Sequence, residues 1–361
     1  MAPNDTSFSA APPTPETDPE RLERAILSRL LSWQTMRGEV TFPCIPTLAD
    51  RYTQQVQGLA RTLGQPFDAA ALERLRTLVA QRLEEGYGAS PYSQLLVRYQ
   101  TVPGPEPQLS WKVETVVVSS EQQARHFLRY RPPEIHDRYP DAKVEAIAAT
   151  LGDPANAPIL DVGAGPGRNA IALARRGHPV VAIEPNGAMA QQLRTMVERS
   201  GQTVQILERN ILDGEFDLAR DRYGAILLTG VVPYFDQVDQ LRLLFQKLAP
   251  ALRPGGLLLF DAFVGVEGWV PTRLVREWGR VTDAYPLAMS ELAAAIAGLP
   301  LVLVSDEDAL AYEREHLSPE ARQARPWFDR WASASRLFQL PGDRVPPVSL
   351  RWRVYERSSQ S

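Results

Sequence analysis

Hydrophobic positions in the first third of the chain recur every three or four residues, which is the spacing of an amphipathic helix. Leu22, Ile26 and Leu30 follow this spacing directly after Asp18 and Pro19, a pair that suits a helix cap and first turn. Further helices are predicted at Leu48–Leu63 and Ala69–Leu83, and the segment Leu109–Ser120 is predicted to be a strand.

This pattern predicts a mainly helical N-terminal domain over residues 19–125 with one extended segment. Residues 1–18 are rich in Pro, Thr, Ser and Ala, and we expect them to form a disordered tail. No catalytic motif falls between residues 19 and 125. We therefore interpret this part as a packing or dimerisation unit, through which the chain could form a homo-oligomer.

From residue 143 onward, short and nearly all-apolar segments alternate with helical ones. The predicted strands are Pro158–Val162, Pro179–Glu184, Val204–Leu207, Gly224–Thr229 and Gly256–Asp261. The predicted helices between them are Arg168–Arg176, Gly187–Arg199 and Val238–Leu252. Such alternation predicts an α/β fold with a parallel sheet and helices on both faces. Strands that are apolar along their whole length fit that arrangement, because both of their faces are covered.

The C-terminal part is predicted to add a helix at Ser290–Ala297, a strand at Pro300–Val304 and an edge strand at Ser349–Ser358. A cap-like insertion is expected near residues 306–345, and residues 126–361 are predicted to form one domain. The insertion contains the aromatic stretch Trp327–Phe338. These rings either cap an apolar substrate pocket or pack against the sheet, and we favour packing.

Composition excludes several classes of protein. The net charge of −4 leaves no basic excess to neutralise phosphates, so no nucleic-acid partner is expected. Cys44 is the sole cysteine, which rules out an intrachain disulfide. The N-terminus lacks the pattern of a secretory signal, and no apolar window is long enough for a membrane helix. We expect a cytoplasmic protein with no membrane partner.

The stretch ILDVGAGPGRNAIALARRG, from Ile159 to Gly177, places three glycines directly after an apolar strand. Glycines at the carboxyl end of a parallel strand let a ligand approach the backbone and the following helix N-terminus. A dinucleotide fingerprint needs glycine at its first, third and sixth positions, but Arg168 holds the sixth position counted from Gly163. The carboxylate of Asp161 would also repel phosphates. A phosphate-free cofactor that carries positive charge fits this loop better.

The loop ILDVGAGPG closely resembles motif I of class I S-adenosylmethionine-dependent methyltransferases. Four later stretches resemble further motifs of this family: VVAIEPNGAM, ILERNILD, LLTGVVPYF and LRPGGLLLFDAF. The resemblance implies a Rossmann-like, mostly parallel sheet of seven strands. It also implies S-adenosylmethionine as the cofactor and S-adenosylhomocysteine as the product. A Rossmann-like domain that has lost its cofactor is the alternative.

The resemblance also assigns residues to parts of the cofactor. Asp161 would attract its positive charge, Glu184 would accept hydrogen bonds from the ribose hydroxyls, and Met189 would pack against adenine. Asn210, where the family usually has aspartate, and Ile211 would meet the adenine edge. The full set of expected cofactor-binding residues is Asp161, Gly163, Ala164, Gly165, Gly167, Arg168, Asn169, Glu184, Pro185, Met189, Asn210, Ile211, Thr229 and Val231.

The methyl acceptor and its catalytic groups are less defined by the sequence. An activated methyl donor lets positioning supply much of the acceleration, and a base is needed only for an acceptor that holds a proton. Tyr234 and Asp261 follow the fourth and fifth strands and are expected to line the pocket. His136 and Tyr139 precede the first helix of the fold and are further pocket candidates. Their alternative role is a packed aromatic lid.

The motif sequence GRNAIALARRGHPVVAIE also resembles the small-molecule branch of the family, which includes tellurite-resistance-type methyltransferases. The acceptor is therefore predicted to be a small molecule, and no metal site is expected. Two alternatives remain open. The first is a methyltransferase that acts on proteins or RNA and uses its N-terminal domain to recognise the substrate. The second is a scaffold that binds the cofactor without catalysis.

Overall fold

The structure is a computed structural model that describes residues 15–31, 35–102, 108–130 and 138–358. His136 and residues 1–14 of the expected tail lie outside these ranges. Within the described residues, no helix combines the length and the apolar character that crossing a membrane requires.

The N-terminal region, residues 15–130, combines helices with a small antiparallel sheet. Its elements are α1 (Pro19–Leu31), β1 (Arg37–Pro43), α2 (Ala49–Thr62), α3 (Ala69–Ala89), β2 (Gln94–Val102), β3 (Gln108–Val116) and α4 (Ser120–Tyr130). The strands lie in the order β1-β2-β3. The predicted extended segment is thus one strand of three. β1 is short and polar on one face, and its partner β2 lies some fifty residues further on, so local pattern did not reveal it.

The N-terminal region has its own hydrophobic core. Leu83 and Val79 of α3 are fully buried against Leu95 and Val97 of β2. Helix α3 begins where the Asp68 side chain accepts a hydrogen bond from the Ala71 amide at 2.7 Å, as an N-cap should. Burial of this apolar face makes the region a structured unit that can position residues of its own.

The rest of the chain is built on a large mixed sheet. The first half of this part of the chain consists of α5 (Ala142–Thr150), β4 (Ile159–Val162), α6 (Arg168–Arg175), β5 (Val180–Ile183), α7 (Gly187–Ser200), β6 (Gln205–Leu207), β7 (Tyr223–Leu228) and α8 (Val238–Leu248). Its second half consists of β8 (Leu252–Gly265), α9 (Arg273–Val281), β9 (Pro286–Leu287), α10 (Met289–Ile296), β10 (Leu301–Asp308), α11 (Ala309–His316), α12 (Pro319–Ala324), α13 (Pro326–Ala332) and β11 (Val348–Arg357).

The strands follow the order β10-β11-β8-β7-β4-β5-β6, and the short β9 pairs with the end of β8. All pairings are parallel except those of β11, which runs antiparallel to both β8 and β10. This confirms the predicted Rossmann-like sheet of seven main strands, mostly parallel. The prediction of an edge strand at Ser349–Ser358 is wrong about the edge position, because β11 pairs on both sides and β10 forms the edge. The chain connects β4 to β5 on one side and returns to β7 on the other, so the strand order reverses beside β4.

Helices cover both faces of this sheet. Leu241 and Phe245 of α8 pack in the core on one face, and Leu173 of α6 and Leu193 of α7 pack in the core on the other. Side chains of β4 alternate between the two cores, which is why this strand is apolar at nearly every position. The exception is Asp161, a charged side chain within that strand.

The aromatic insertion packs against the sheet, as we favoured from the sequence. Phe328 and Trp331 of α13 are buried in the core, and the Trp331 ring lies edge-on to Phe263 of β8 at 5.3 Å between ring centroids. Trp327 is half-buried beside them. The insertion therefore contributes to the hydrophobic core, and it also brings polar groups close to the strand ends.

The N-terminal region is docked onto helix α9. Thr47 donates hydrogen bonds to the buried Glu277 carboxylate from its amide at 2.9 Å and from its hydroxyl at 2.7 Å. Arg280 donates to the Tyr87 carbonyl at 3.0 Å and pairs with Asp236 at 3.1 Å. Asp236 follows β7, so this contact ties the N-terminal region to a loop at the carboxyl edge of the sheet.

Candidate functional site

The glycine loop after β4 lies at the carboxyl edge, where the strand order reverses. Gly163, Gly165 and Gly167 have positive φ values of 70°, 54° and 97°. A Cβ at Gly163 would lie 2.5 Å from Val231, and one at Gly167 would lie 2.3 Å from Leu193. Packing and backbone conformation thus explain two of the three glycines.

Gly165 differs from its two neighbours in what surrounds it. A Cβ at this position would meet nothing within 4 Å, so the backbone here borders open space. Its amide donates a hydrogen bond of 2.8 Å to the Glu184 carboxylate, across the ends of two neighbouring strands. Open space beside an exposed loop backbone is what a bound ligand at this edge requires.

Asp161 lies at the end of β4 with 1% of its surface exposed. Neither carboxylate oxygen has a hydrogen-bond partner within 3.5 Å among the described residues. Burial raises the pKa of Asp161 to about 7. The Arg168 guanidinium and the Ala170 amide, which lies outside hydrogen-bond geometry, oppose the shift, and the carboxylates of Asp141 and Glu184 add to it. A buried carboxylate without partners is costly, so a positively charged group beside it would be strongly favoured.

Glu184 directly follows β5 and is also buried. Its two oxygens accept from the amides of Gly165 and Asn186 at 2.8 and 2.9 Å, which fixes the carboxylate at the rim of the loop. Burial raises its pKa, and these two hydrogen bonds oppose the shift. An ionised carboxylate accepts up to about four hydrogen bonds, so capacity for two hydroxyl donors remains.

Arg168 and Asn169 begin helix α6, and their side chains turn toward Asp141. The Asp141 carboxylate accepts from Arg168 at 2.8 Å and from the Asn169 amide at 2.9 Å. The same Asn169 amide donates to the Thr229 hydroxyl at 2.9 Å. Burial raises the pKa of Asp141, but the guanidinium groups of Arg168 and Arg325 outweigh it and hold the pKa low. These predicted cofactor residues thus belong to a network that supports the loop.

The remaining predicted cofactor residues follow β4, β5 and β6 along the chain. Ile211 is buried, Met189 and Ala164 are half-buried, and Pro185 and Asn210 are exposed. The Asn210 side chain accepts a hydrogen bond from the Leu212 amide at 3.0 Å, which shapes the turn after β6. These residues therefore offer apolar surface next to exposed loop backbone.

Asp261 and Tyr234, the pocket candidates, lie beside the exit of β7. Asp261 is 2% exposed and accepts from the Gly230 amide at 2.7 Å. Burial raises the pKa of Asp261 to about 7, and the Gly230 amide opposes the shift. Tyr234 is 57% exposed, and the negative charge of the Asp283 carboxylate raises its pKa above the ordinary value. Its hydroxyl is therefore protonated at neutral pH.

Other titratable rings of the described residues lie in a turn and on α4. His178 is buried and contacts the Ala157 carbonyl at 3.0 Å. The rings of His126 and Tyr130 lie tilted against each other, 4.6 Å apart, at the exposed end of α4. Tyr139 is half-buried beside the Arg138 guanidinium, and His136 is outside the described residues.

Three residues near the site were missed by sequence reasoning: Tyr92, Asp141 and Asp283. Asp141 precedes α5 and carried no motif, and Tyr92 belongs to a part of the chain interpreted as packing. Asp283 has a positive φ of 55°, which is unusual for a residue other than glycine. No local pattern signals this conformation, so only the structure reveals it.

The family model described as "Methyltransferase domain" matches residues 159–256, which run from the start of β4 into β8. Residues 159–256 are therefore similar to a methyltransferase domain. The matched stretch contains the glycine loop, Glu184 and the exit of β7. Asp261 and Asp283 lie beyond it. No curated protein matches this sequence.

Several solved structures resemble the methyltransferase domain. One is a protein described as a sarcosine dimethylglycine methyltransferase from Galdieria sulphuraria, with 14% identity, a TM-score of 0.47, and coverage of 65% of this chain and 98% of that one. The [4+2]-cyclase SpnF has 14% identity, a TM-score of 0.46, and coverage of 67% and 97%. Geranyl diphosphate C-methyltransferase from Streptomyces coelicolor A3(2) has 16% identity, a TM-score of 0.42, and coverage of 60% and 77%. TM-scores below 0.5 give no information on what this chain binds.

Proposed function

We propose that this protein is an S-adenosylmethionine-dependent methyltransferase that acts on a small molecule. The buried, unpartnered carboxylate of Asp161 carries the proposal. S-adenosylmethionine supplies a methyl group on a sulfonium cation, and it also bears an ammonium group. Its positive charge would give Asp161 the partner that the described residues do not provide.

The other residues of the edge fit the same cofactor. The open space beside Gly165 leaves room for a ligand at the loop backbone. Glu184 is held by two amides and retains acceptor capacity for ribose hydroxyls. Met189 and Ile211 offer apolar surface for the adenine ring. Val231, in contact distance of the glycine loop, would border the methionine part.

The surroundings of Tyr234 favour a small acceptor. The N-terminal region and the aromatic insertion both contact Asp283, and the loop that carries Asp283 is bonded to Pro233, the residue before Tyr234. The net charge of −4 gives no basic surface for an RNA substrate. Tyr234 and Asp261 would line the acceptor side, where their task is to position the acceptor and exclude water.

Binding of the cofactor is tested by calorimetry on two matched variants. Gly165→Leu places a side chain in the open space of the loop, whereas Gly255→Leu does the same in the turn of β8 far from the site. Both glycines have positive φ, 54° and 75°, and a Cβ on either meets nothing within 4 Å. Backbone strain is therefore matched. We expect the wild-type protein and Gly255→Leu to bind S-adenosylhomocysteine, and Gly165→Leu to lose binding.

The outcomes separate the open alternatives. A wild-type protein that binds neither S-adenosylmethionine nor S-adenosylhomocysteine would be a scaffold, and the proposal would be wrong. To find the acceptor class, the protein is incubated with S-adenosylmethionine and a pool of metabolites, proteins or RNA, and the release of S-adenosylhomocysteine is measured. Turnover with a protein or RNA pool alone would overturn the small-molecule assignment and leave the methyltransferase assignment standing.

A further inference from the structure

Asp283 lies where three parts of the molecule meet. Its carboxylate accepts a hydrogen bond of 2.9 Å from the Tyr92 hydroxyl of the N-terminal region. Its carbonyl accepts one of 2.8 Å from the Trp331 indole of the insertion. Two residues later, the Tyr285 amide donates to the Pro233 carbonyl at 3.1 Å, which joins this loop to the exit of β7. Contacts from every side therefore hold Asp283 in its unusual positive-φ conformation.

The same contacts bring the loop that carries Asp283 to Pro233, the residue before Tyr234. Among the charges that act on the Tyr234 hydroxyl, Asp283 is the largest, and Glu184 of the glycine-loop rim is another. The loop that carries Asp283 therefore adjoins the segment with Tyr234 at the exit of β7.

Acidic side chains are numerous around this part of the edge. Asp161, Glu184, Asp261 and Asp283 supply carboxyl groups, and Arg336 is the opposing charge that acts on both Asp283 and Tyr234. Arg336 is exposed, whereas Asp283 is partly buried. The ionised Asp283 carboxylate would repel an anionic acceptor, whereas a cation would find this carboxylate bonded to the Tyr92 hydroxyl. Aromatic faces with a nearby carboxylate are a favourable environment for an ammonium group.

We propose that Asp283 binds the protonated amine of the methyl acceptor, with the rings of Tyr92 and Tyr234 beside it. This inference rests on the proposed function, because it assigns the acceptor side of the same site. The class of substrate would be a small primary or secondary alkylamine. When the nitrogen gives up its proton, the Asp283 carboxylate can take it, and the electron pair of the N–H bond stays on nitrogen as a nucleophilic lone pair.

The charge state of Asp283 suits this role. Burial raises its pKa to about 6, while the hydrogen bond from Tyr92 and the charge of Arg336 oppose the shift. The carboxylate is therefore mostly ionised at neutral pH and attracts a cation. A pKa this close to neutrality also makes the group a better proton acceptor than an exposed aspartate.

Three probes test the inference: benzylammonium, benzyl alcohol and benzoate. Each has one benzene ring, and their substituents are positively charged, neutral and negatively charged. Their binding to the full chain is measured by ligand-observed NMR with S-adenosylhomocysteine present. The test variant is Asp283→Asn, because asparagine tolerates positive φ and its side-chain oxygen can still accept from Tyr92. Asp329→Asn, which removes an equal charge from a surface pair with Arg314, is the control.

We expect the wild-type protein and Asp329→Asn to bind benzylammonium at least about tenfold more tightly than the other probes. Asp283→Asn should lose that preference and keep its affinity for S-adenosylhomocysteine. In the wild-type protein, benzylammonium affinity should fall as the pH drops through about 6, and Asp283→Asn should lack this step. Equal binding of the probes, preference for benzoate, no benzylammonium signal, or an unchanged preference in Asp283→Asn would overturn the inference. Failure of S-adenosylhomocysteine to bind the wild-type protein would instead count against the proposed function.

Discussion

The Tyr92 hydroxyl donates a hydrogen bond of 2.9 Å to the Asp283 carboxylate, across 191 positions of sequence. Tyr92 belongs to the N-terminal region, and Asp283 follows helix α9 of the methyltransferase part. The bond adds to the contacts of Thr47 with Glu277 and of Tyr87 with Arg280. The N-terminal region is therefore a wall of the candidate site as well as a packing unit.

Removing this bond should change both the site and the stability. In Tyr92→Phe we expect the pKa of Asp283 to rise above about 6, because the hydrogen bond from Tyr92 lowers it. The loss of one hydrogen bond should cost about 1 kcal/mol of unfolding free energy. Carbon-13 NMR titration of the carboxyl and urea unfolding measure the two effects. Tyr99→Phe on β2 is the control, and an equal pKa change in it would contradict the assignment.

Stability should depend on pH through Asp161 and Asp261. Burial raises the pKa of each carboxyl from 3.8 to about 7, so the folded protein holds more protons than the unfolded chain between those values. Without a ligand, the free energy of unfolding should therefore fall as the pH rises from about 4 to 7, by roughly 2–4 kcal/mol for each group.

The same argument gives an expectation for Asp161→Asn. This variant should be more stable than the wild-type protein at pH 8 and should show a weaker pH dependence, while its affinity for S-adenosylmethionine falls. Urea unfolding across pH and calorimetry measure these effects. An Asp161→Asn variant with the same pH dependence of stability as the wild-type protein would show that the pKa of Asp161 is not raised by folding. Asp329→Asn serves as the exposed control.

The buried network behind the glycine loop should be sensitive to the loss of Arg325. This guanidinium is 2% exposed and pairs with Asp141 at 2.5 Å and with Glu313 at 3.2 Å. Arg325→Met leaves two buried carboxylates short of a partner, which should cost about 3–5 kcal/mol of unfolding free energy. Arg314→Met removes an exposed pair with Asp329 and should cost less than about 1 kcal/mol. Equal losses in the two variants would contradict the buried role.

Gly163 and Val231 should show energetic coupling. In Gly163→Ala the new Cβ would lie 2.5 Å from the Val231 side chain, at a φ of 70°. We expect a loss of stability and of cofactor affinity, because Val231 or the loop must move. Adding Val231→Ala should recover the steric part and leave the cost of the positive φ, about 1–2 kcal/mol. A double-mutant cycle by urea unfolding measures the coupling, and strict additivity would argue against this contact.

The positions of the strands and helices were largely predictable, because each depends on the pattern of apolar and polar residues within a short segment. Each sheet strand from β4 to β8 was predicted, since buried parallel strands are apolar at nearly every position. The glycine loop was found for the same reason: its positive φ values need glycine at fixed, adjacent positions. Strands β1 and β2 were missed, because β1 is short and half-polar and pairs far along the chain.

The sequence by itself determined the α/β class, the loop and the acidic tip of β4, because each depends on neighbouring residues. The tertiary structure alone decided which charges are buried and what they meet. Asp141 gained Arg168 and Arg325 from two distant segments, whereas Asp161 gained no hydrogen-bond partner among the described residues. The tertiary structure also places the Tyr92 hydroxyl against the Asp283 carboxylate. Contacts between residues so far apart in sequence depend on how helices and strands pack against each other. The spacing of residues along the chain does not determine this packing.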